Sequence, residues 1–399
     1  MRSVLVVSHT GAMWGAQLRL CEMAPRLLDR GFRLTLAGPS DGPLGDAWRQ
    51  QGLPFLPFTL PEHVGLRDEG GGRPSPLAMA REVGAVGKSS VAVARAGRSA
   101  DLLQSHSLTA HLEVALAGRL AGRPAVLDVH DIVRPGLGRR VLHLASRLAT
   151  RTLANSRATA ETVGGSQRRD VDVVHPGVDL ERFRPGPPDP GVRAQLGGDA
   201  DAPLVGVLGR VDPVKRLEVV IDAVAALVDA GLAIRLAVVG DAHRAPAGYL
   251  PRLRSYAQDR LGGRVQFTGP RSDVPAVLRA LDVVVGAPRV EPFGRTIVEA
   301  QACGRPVIAP AEGGGAEIVD DGRTGLLVPP GDPDRLAEAL GRLVRDPDCA
   351  VRMGEAGVAN VGARFSLDAQ ADAVAAVYER ALARRSPARP RLLGAKTSA

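Results

Sequence analysis

The sequence predicts an α/β protein made of two doubly wound domains, each built on a parallel β-sheet. Three observations support this prediction. The chain has 399 residues, which is long for a single hydrophobic core and favours two domains. Apolar runs of strand length alternate with amphipathic stretches of helical length, as in a sheet covered by helices on both faces. An irregular stretch rich in Pro, Gly and Asp divides the chain into two similar halves.

The strand-like runs are mostly continuous in Val, Leu and Ile, which is typical of strands buried on both faces. Those of the first half are VLVVS (4–8), LTLAG (34–38), DLLQSH (101–106), AVLDVH (125–130) and TLANS (152–156). Those of the second half are LVGVLG (204–209), IRLAVVG (234–240), RVQFTG (264–269), DVVVGA (282–287), PVIAP (306–310) and GLLVP (325–329). Amphipathic stretches between them include 16–30, 213–230 and 333–345.

These patterns set the predicted domain boundaries. An N-terminal domain is expected over 1–185, a linker over 186–203 and a C-terminal domain over 204–365, because the linker lacks any periodicity. A last helix is expected over 366–385, and the Pro- and Arg-containing tail 386–399 is predicted to be disordered. Two doubly wound halves that face each other would leave one deep cleft beyond the carboxyl ends of their strands.

Composition excludes several classes of protein. Hydrophobic residues make up 45% and charged residues 24% of the chain, as in soluble globular proteins. An apolar run of 18 residues is absent, and the first residues lack a signal-peptide pattern, so a cytoplasmic location is expected. Three scattered cysteines argue against a disulfide framework or a structural zinc site. Aromatic residues, at 3%, are too few for a nucleic-acid stacking platform.

The formal net charge of +8 has two interpretations. It could favour an anionic partner such as a phosphorylated substrate, nucleic acid or the inner face of a membrane. It could equally reflect a basic, Arg-rich proteome. Lysine is scarce, because Lys88, Lys215 and Lys396 are the only lysines among 51 basic residues. A lysine within a domain is therefore informative.

The segment GRVDPVKRLEVVIDA (209–223) predicts an anion site. It follows a strand directly and opens a helix, with Arg210 and Lys215 on either side of a short turn. Two cations beside the positive end of a helix dipole suit a diphosphate. The alternative is a solvated helix start, which the position of a rare lysine disfavours.

The segment EPFGRTIVEAQACGRPVIAP (291–310) predicts a second part of the same site. Glu291 lies in a loop after a strand, and Glu299 lies about one turn into the helix that follows. Carboxylates accept hydrogen bonds from vicinal hydroxyls, while backbone amides at Gly294, Arg295 and Thr296 suit phosphate. The combination fits a nucleotide sugar. The alternative, two glutamates on an exposed helix face, is disfavoured by the loop position of the first.

The N-terminal half offers a weaker signal. SHTGAMWGAQLRL (8–20) reads as strand, loop and helix with Gly11 and Gly15, but it lacks the full G-x-G-x-x-G fingerprint. His106, and His130 with Asp131, follow two strands and are placed to enter a cleft, although strand-end histidines are often structural. The acidic pairs at 170/172, 332/334 and 346/348 predict helix caps or surface groups and no metal site.

Taken together, these motifs resemble those of retaining glycosyltransferases of family 4, which have the GT-B architecture of two Rossmann-like domains. EPFGRTIVEAQACGRPVIAP is similar to the E-x7-E signature of that family, and GRVDPVKRLEVVIDA is similar to its donor-phosphate motif. VVHPGVDLERFRP (173–185) resembles its interdomain segment, and GGGAEIVDDGRTGLLVPPGD (313–332) resembles the stretch after the signature. DLLQSHS and LDVHD match strand ends on the acceptor side.

The resemblance implies a role for each matching residue. Arg210 and Lys215 would hold the donor diphosphate, Glu299 the ribose hydroxyls and Glu291 the transferred sugar. The amides from Phe293 to Thr296 (Phe293, Gly294, Arg295, Thr296) and the first-loop Gly15 would contact the donor. His130 would lie near the reacting centre, on an acceptor side that also contains Trp14, His106 and Asp131. The last helix would return to the N-terminal half.

One departure from the family pattern concerns the first loop. Trp14 and Gly15 stand where two adjacent glycines are usual, so Trp14 is expected to narrow the acceptor mouth or to stack on an acceptor ring.

The expected reaction moves a sugar from a UDP- or GDP-sugar to a small metabolite, a natural product, or a lipid or glycan of the cell envelope. A front-face mechanism without metal or other cofactor is expected, because no carboxylate stands where a nucleophile would be needed. The alternatives are a sugar-nucleotide epimerase or a phosphorylase of the same fold. A non-enzymatic basic binding module would explain the charge but not the ordered motifs.

Overall fold

The computed structural model of the chain describes residues 1–61, 76–165, 167–199, 202–243 and 245–383. The fold divides into two compact units. The N-terminal unit contains 1–154, 162–172 and the last helix from Ala371, and the C-terminal unit contains 155–161 and 173–370. The predicted N-terminal domain, 1–185, is therefore too long, because residues 155–161 and 173–185 belong to the C-terminal unit.

The N-terminal unit is built on a seven-stranded sheet in the order β3-β2-β1-β4-β5-β6-β7. Its strands are β1 (Arg2–Val7), β2 (Phe32–Gly38), β3 (Phe55–Pro57), β4 (Leu102–Ser105), β5 (Ala125–Val129), β6 (Arg151–Ala154) and β7 (Val171–Val173). Pairing from β3 through to β6 is parallel throughout. Its helices are α1 (Gly15–Asp29), α2 (Pro43–Gln50), α3 (Pro76–Ala96), α4 (His111–Ala121) and α5 (Leu137–Leu148). Helix α6 (Arg157–Thr162) follows β6 in the chain, but nearly all of it belongs to the C-terminal unit.

The C-terminal unit is built on a six-stranded parallel sheet in the order β10-β9-β8-β11-β12-β13. Its strands are β8 (Leu204–Leu208), β9 (Arg235–Val239), β10 (Val265–Gly269), β11 (Val283–Val285), β12 (Val307–Pro310) and β13 (Leu326–Val328). Its helices are α7 (Pro190–Gln195), α8 (Leu217–Asp229), α9 (Tyr249–Leu261), α10 (Val274–Ala280), α11 (Arg295–Ala302), α12 (Gly315–Ile318), α13 (Pro333–Arg345) and α14 (Pro347–Arg364).

The predicted fold class, two doubly wound parallel-sheet domains, is confirmed. Every predicted strand is present, and most are shorter than their apolar run because the last residues form the loops that leave the sheet. His106, for example, follows β4 rather than ending it. The edge strands β3 and β7 are not among the predicted runs, because each has only three residues and carries no periodic signal.

The last helix, α15 (Leu367–Ala383), packs its second half on the N-terminal unit. The ring of Tyr378 contacts Phe32 edge-on at a centroid distance of 5.1 Å. Arg30 pairs with Asp372 at 2.6 Å, on the exposed side of the same contact. The predicted tail 386–399 lies outside the described residues. Among the helices that are described, none is long and apolar enough to cross a membrane.

The inner strands of both sheets are largely buried on each face, as the apolar runs predict, whereas edge strands such as β10 are partly exposed. In β1, the side chains from Val4 to Val7 are at most 4% exposed. Ligands of such sheets bind at the loops beyond the carboxyl ends of the strands, which in a parallel sheet gather at one edge. The residues singled out by sequence follow the carboxyl ends of β1, β4 and β5 in one unit and of β8 and β11 in the other.

Candidate functional site

The candidate site consists of two constellations, one in each unit. The first begins where β8 ends. Gly209 has φ = 132°, and its carbonyl lies so close to Gly240 that a Cβ there would be 1.7 Å from the oxygen. Both positions therefore require glycine. This close backbone packing fixes the direction of the loop that carries Arg210 and Lys215.

Asp212 organises that loop. It is 5% exposed and caps a 3-10 turn over Pro213–Lys215, where its carboxylate accepts from the amide of Val214 at 3.0 Å. Arg210 lies 3.2 Å from the same carboxylate, with about half of its own side chain exposed. No role was predicted for this aspartate, although an acidic residue before proline is a typical cap.

Lys215 and Glu291 form an ion pair. Nζ of the lysine lies 2.5 Å from Oε2 of the glutamate, and the two side chains are 24% and 21% exposed. The structure thus brings together two predicted site residues that are 76 positions apart. Partial burial strengthens the attraction relative to a fully exposed pair.

Helix α11 starts beside this pair. Gly294 precedes it with φ = 103° and offers no side-chain cap, so the first turn presents backbone amides without a competing side chain at that position. The Thr296 hydroxyl lies 3.5 Å from the carbonyl of Leu208, which places the helix start next to the end of β8. Glu299 pairs with Arg295 one turn earlier, at 3.2 Å.

Gly313 and Gly314 pack against the backbone of the loop that precedes α11. The amide of Gly314 donates to the carbonyl of Glu291 at 2.8 Å. A Cβ on Gly314 would lie 2.1 Å from the carbonyl oxygen of Phe293, and one on Gly313 would lie 2.7 Å from that of Glu291. Glycine at these two positions is therefore what allows the loop to sit where it does.

The side chain of Phe293 is structural. It is 3% exposed and stacks on His175 at a centroid distance of 5.7 Å, so only its backbone is available for the predicted donor contact. His175 in turn pairs with Glu317 at 2.9 Å. Burial acts to raise the pKa of Glu317, but hydrogen bonds from His175 and from the amides of Arg157 and Ala158 hold that pKa below its usual value.

The second constellation lies in the N-terminal unit, around a buried carboxylate. Asp128, on β5, accepts from the Arg19 guanidinium at 2.9 and 3.0 Å through both oxygens. Nδ1 of His106 lies 3.0 Å from Oδ2 of the same carboxylate, and Nε2 of His130 lies 3.3 Å from it. Arg19, His106 and Asp128 are at most 6% exposed. The predicted acceptor-side histidines are therefore brought together.

Charge pairing sets the protonation of this cluster. Burial acts to raise the pKa of Asp128, but Arg19 and His130 outweigh it and hold that pKa well below its usual value. Burial lowers the pKa of His130 to about 4. The charge of Arg19 also lowers this pKa, whereas the charge of Asp128 raises it. Burial also lowers the pKa of the neighbouring His111 to about 3. Near neutral pH, Asp128 is thus ionised and both of these histidines are neutral.

His106, Asp128 and His130 also have the geometry of a metal-binding group, with one ligand atom from each lying within 4.8 Å of the others. Arg19 argues against that use. Its guanidinium contacts the carboxylate and lies 3.0 Å from Nδ1 of His130. Because arginine stays charged, a metal ion here would be repelled at contact distance. The donor set fits a compensated ion-pair cluster better than a metal centre.

The remaining predicted residues are exposed. Trp14 is the extended residue before α1 and is 39% exposed. Gly15 is the first residue of that helix, and Asp131 follows His130; both are exposed. Two of the three acidic pairs provide the predicted helix caps, since Asp332 and Asp346 cap α13 and α14.

A cavity of about 450 Å³ lies at the opposite edge of the C-terminal sheet, lined in part by Pro203, Val283 and Pro306. None of the predicted site residues lines it.

Comparison with known proteins identifies the family to which the chain belongs. A family profile described as Glycosyltransferase Family 4 matches residues 14–182, and one described as Glycosyl transferases group 1 matches residues 202–346. The structure of HepE from Anabaena, solved in complex with UDP and glucose, is 27% identical to this chain. It superposes with a TM-score of 0.77 over 95% of this chain and 100% of that one.

Among curated sequences, the D-inositol 3-phosphate glycosyltransferase of Nocardia farcinica is 35% identical over 287 residues, 70% of this chain and 60% of that protein. The protein of the same name from Segniliparus rotundus is 38% identical over 216 residues, 53% of this chain and 47% of that protein. The chain therefore spans about half to three fifths of the length of these relatives. With both profiles matched and the two-sheet architecture shared along its length, the chain belongs to glycosyltransferase family 4 and has the GT-B fold.

Proposed function

We propose that this chain is a retaining glycosyltransferase that moves a sugar from a UDP-sugar to a hydroxyl of a small-molecule acceptor, without a metal ion. The observation that carries the proposal is the contact between Lys215 and Glu291 at the carboxyl edge of the C-terminal sheet. It joins the two segments most typical of the family, with Arg210 beside it and the first turn of α11 next to the end of β8.

On the donor side, Arg210 and Lys215 would bind the diphosphate, together with the amides at the start of α11. Two cations and a helix N-terminus would provide the positive charge that a metal ion supplies elsewhere. Glu299 would accept hydrogen bonds from the ribose hydroxyls. The preference for UDP over GDP is supported by HepE, whose structures contain UDP and UDP-glucose at 26–27% identity.

On the acceptor side, His130 would contact the reacting hydroxyl as a neutral imidazole, held by Arg19 and Asp128. Trp14, His106 and Asp131 would line or support the acceptor site. The relatives' names point to a phosphorylated polyol as the first acceptor to test, and the net charge of +8 suits a phosphorylated acceptor. The same charge would also suit contact with an anionic membrane surface.

The proposed chemistry takes place on one face of the sugar. The bond between the anomeric carbon and the diphosphate oxygen breaks first, and the charge that develops on the diphosphate is stabilised by Arg210, Lys215 and the α11 amides. The acceptor oxygen then bonds to the anomeric carbon from the same side. Its proton passes to the departing phosphate oxygen, so configuration is retained and atoms and charge balance.

Thermal denaturation with UDP, GDP, ADP, dTDP and their common sugar conjugates, in the presence of EDTA, tests the donor site. A ligand at a hundred times its Kd stabilises by about 2.7 kcal/mol, which gives a clear shift. Stabilisation by UDP and not by the other diphosphates is the expected result. Transfer to D-inositol 3-phosphate, other sugar and polyol phosphates and their unphosphorylated forms is then followed by UDP release, and NMR of the product reports its anomeric configuration.

Absence of stabilisation by every nucleotide, in a folded sample, would contradict the donor assignment. An inverted product would contradict the front-face mechanism alone. Activity that EDTA abolishes and Mg²⁺ or Mn²⁺ restores would contradict the metal-independent part of the proposal.

A further inference from the structure

The last helix is connected to the His130 cluster by a chain of buried hydrogen bonds. The hydroxyl of Tyr378, on α15, donates to Oε1 of Gln104, on β4. Nε2 of Gln104 donates to Oδ2 of Asp128 at 3.3 Å. That oxygen lies 3.3 Å from Nε2 of His130. Tyr378 is fully buried and Gln104 is 2% exposed, so water does not compete for these partners.

The chain of contacts fixes the orientation of the Gln104 amide. A carboxylate only accepts hydrogen bonds, so the amide NH₂ must face Asp128, and its carbonyl must face elsewhere. The Tyr378 hydroxyl supplies the donor for that carbonyl. A reversed amide would place its oxygen against a buried, ionised carboxylate, which is strongly unfavourable.

The contacts of His130 favour one tautomer. The same Arg19 nitrogen lies 3.0 Å from Nδ1 and 3.2 Å from Nε2 of the ring, and Nε2 also faces an acceptor, Oδ2 of Asp128, at 3.3 Å. Because arginine only donates and a carboxylate only accepts hydrogen bonds, we assign the lone pair to Nδ1 and the hydrogen to Nε2. This arrangement leaves the ring neutral and uses Oδ2 of Asp128 as an acceptor that Gln104, Arg19 and His106 also contact.

We propose that Tyr378 is a positioning residue of the transferase site, which acts through Gln104 and Asp128 to hold His130 in its neutral Nε2–H tautomer and orientation. The last helix is then a functional part of the site and not only a cover for the N-terminal sheet. The expected effect of Tyr378 on turnover rests on the proposed function, whereas its expected effect on the His130 ring does not.

The test compares Tyr378→Phe with Asp372→Asn. The first removes only the hydroxyl and keeps the ring against Phe32. The second removes a different contact of the same helix with the same unit, the ion pair to Arg30 at the surface, and serves as the matched control. Folding of the N-terminal unit is checked by tryptophan fluorescence, because both tryptophans of the chain, Trp14 and Trp48, lie in that unit.

The first readout is ¹⁵N NMR of the histidine rings, which needs no substrate. The His130 signals are assigned by their loss in His130→Asn. The wild-type protein is expected to show the neutral Nε2–H tautomer, and Tyr378→Phe is expected to shift the ring nitrogens or to mix the tautomers. Unchanged His130 signals in folded Tyr378→Phe would overturn the proposal, whatever the activity.

The second readout is kinetic. Loss of one neutral hydrogen bond corresponds to roughly a two- to tenfold effect, so Tyr378→Phe is expected to lower kcat by that factor and to leave KM for the donor within about twofold. Gln104→Met should lower kcat similarly, and the double variant should be no worse than either single variant, because both changes break one chain. Additive losses, or equal losses in Asp372→Asn, would indicate a structural effect and contradict the proposal.

The two readouts separate the proposals. An altered His130 tautomer in a protein that transfers no sugar would leave the positioning role standing and would contradict the proposed function. Conversely, sugar transfer by a protein whose His130 signals and kcat are the same in wild type and Tyr378→Phe would support the proposed function and contradict the positioning role.

Discussion

Lys215 and Glu291 are ion-paired at 2.5 Å in the C-terminal unit. One was predicted to hold a diphosphate and the other to contact the transferred sugar, so the two proposed roles meet at a single contact. The carboxylate partly neutralises the ammonium, and a bound diphosphate would share that ammonium with it. Binding and transfer are therefore expected to respond in opposite directions when the carboxylate loses its charge.

Lys215→Ala is expected to lower kcat by about a hundredfold or more, because it removes a cation from the charge that develops on the leaving diphosphate. Steady-state release of UDP measures the effect, and circular dichroism shows whether the variant is folded. Lys88→Ala is the matched control, since Lys88 is exposed on α3 and should leave kcat unchanged. Near-wild-type turnover in folded Lys215→Ala would contradict the phosphate assignment.

Glu291→Gln is expected to separate binding from transfer. Without the opposing carboxylate charge, Lys215 should attract the diphosphate more strongly, so UDP should bind about two- to tenfold more tightly at low ionic strength. Transfer should nevertheless become slower, because the proposed contact to the sugar loses its charge. Isothermal titration with UDP and the transfer assay give the two quantities, and weaker UDP binding would show that the carboxylate does not compete for the lysine.

The pair Asp128 and Arg19 shows how much of the candidate site could be predicted from the sequence. An acidic residue inside an apolar run that is buried on both faces requires a partner, so its need for a cation could be predicted. The identity of that cation could not be predicted, because Arg19 lies 109 positions away on a different element. Only the packing of α1 on the sheet brings the two side chains together. Conversely, the pair Arg295–Glu299 has i,i+4 spacing, from which the ion pair could have been predicted, although Glu299 was predicted only to contact a ligand.

The fold itself was more predictable than the site. Continuous apolar runs identify strands such as β8 because parallel strands must be buried on both faces. The three-residue edge strand β3 has no such requirement and left no signal. The network from Tyr378 to His130 depends on where α15 packs, which local patterns do not encode.

Gly314→Ala is expected to destabilise the loop that carries Glu291. The new Cβ would lie 2.1 Å from the backbone oxygen of Phe293, so either the loop or α12 must move, at a cost of about 1–3 kcal/mol. Weaker UDP stabilisation in the thermal assay should accompany the lower melting temperature. Gly362→Ala, with open space around its Cβ and a place in α14, should instead be neutral or stabilising, by up to about 1 kcal/mol. Equal behaviour of the two variants would contradict the steric argument.

The N-terminal unit is expected to lose stability as the pH falls from about 6.5 to 4. The pKa values of His130 and His111 are lowered in the folded protein to about 4 and about 3, from 6.5. Over this range the unfolded chain binds protons that the folded unit does not, so the free energy of unfolding decreases with decreasing pH. Each histidine contributes a slope of up to about 1.4 kcal/mol per pH unit.

Urea unfolding followed by tryptophan fluorescence measures this slope in the right unit, because Trp14 and Trp48 both belong to it. His130→Asn should reduce the slope by up to one proton, since it removes one of the two depressed groups. His243→Asn changes an exposed histidine of the C-terminal unit and should leave it unaltered. A slope that is the same in the wild type and in His130→Asn would mean that His130 is not the neutral, buried imidazole on which both the acceptor-side role and the Tyr378 proposal depend.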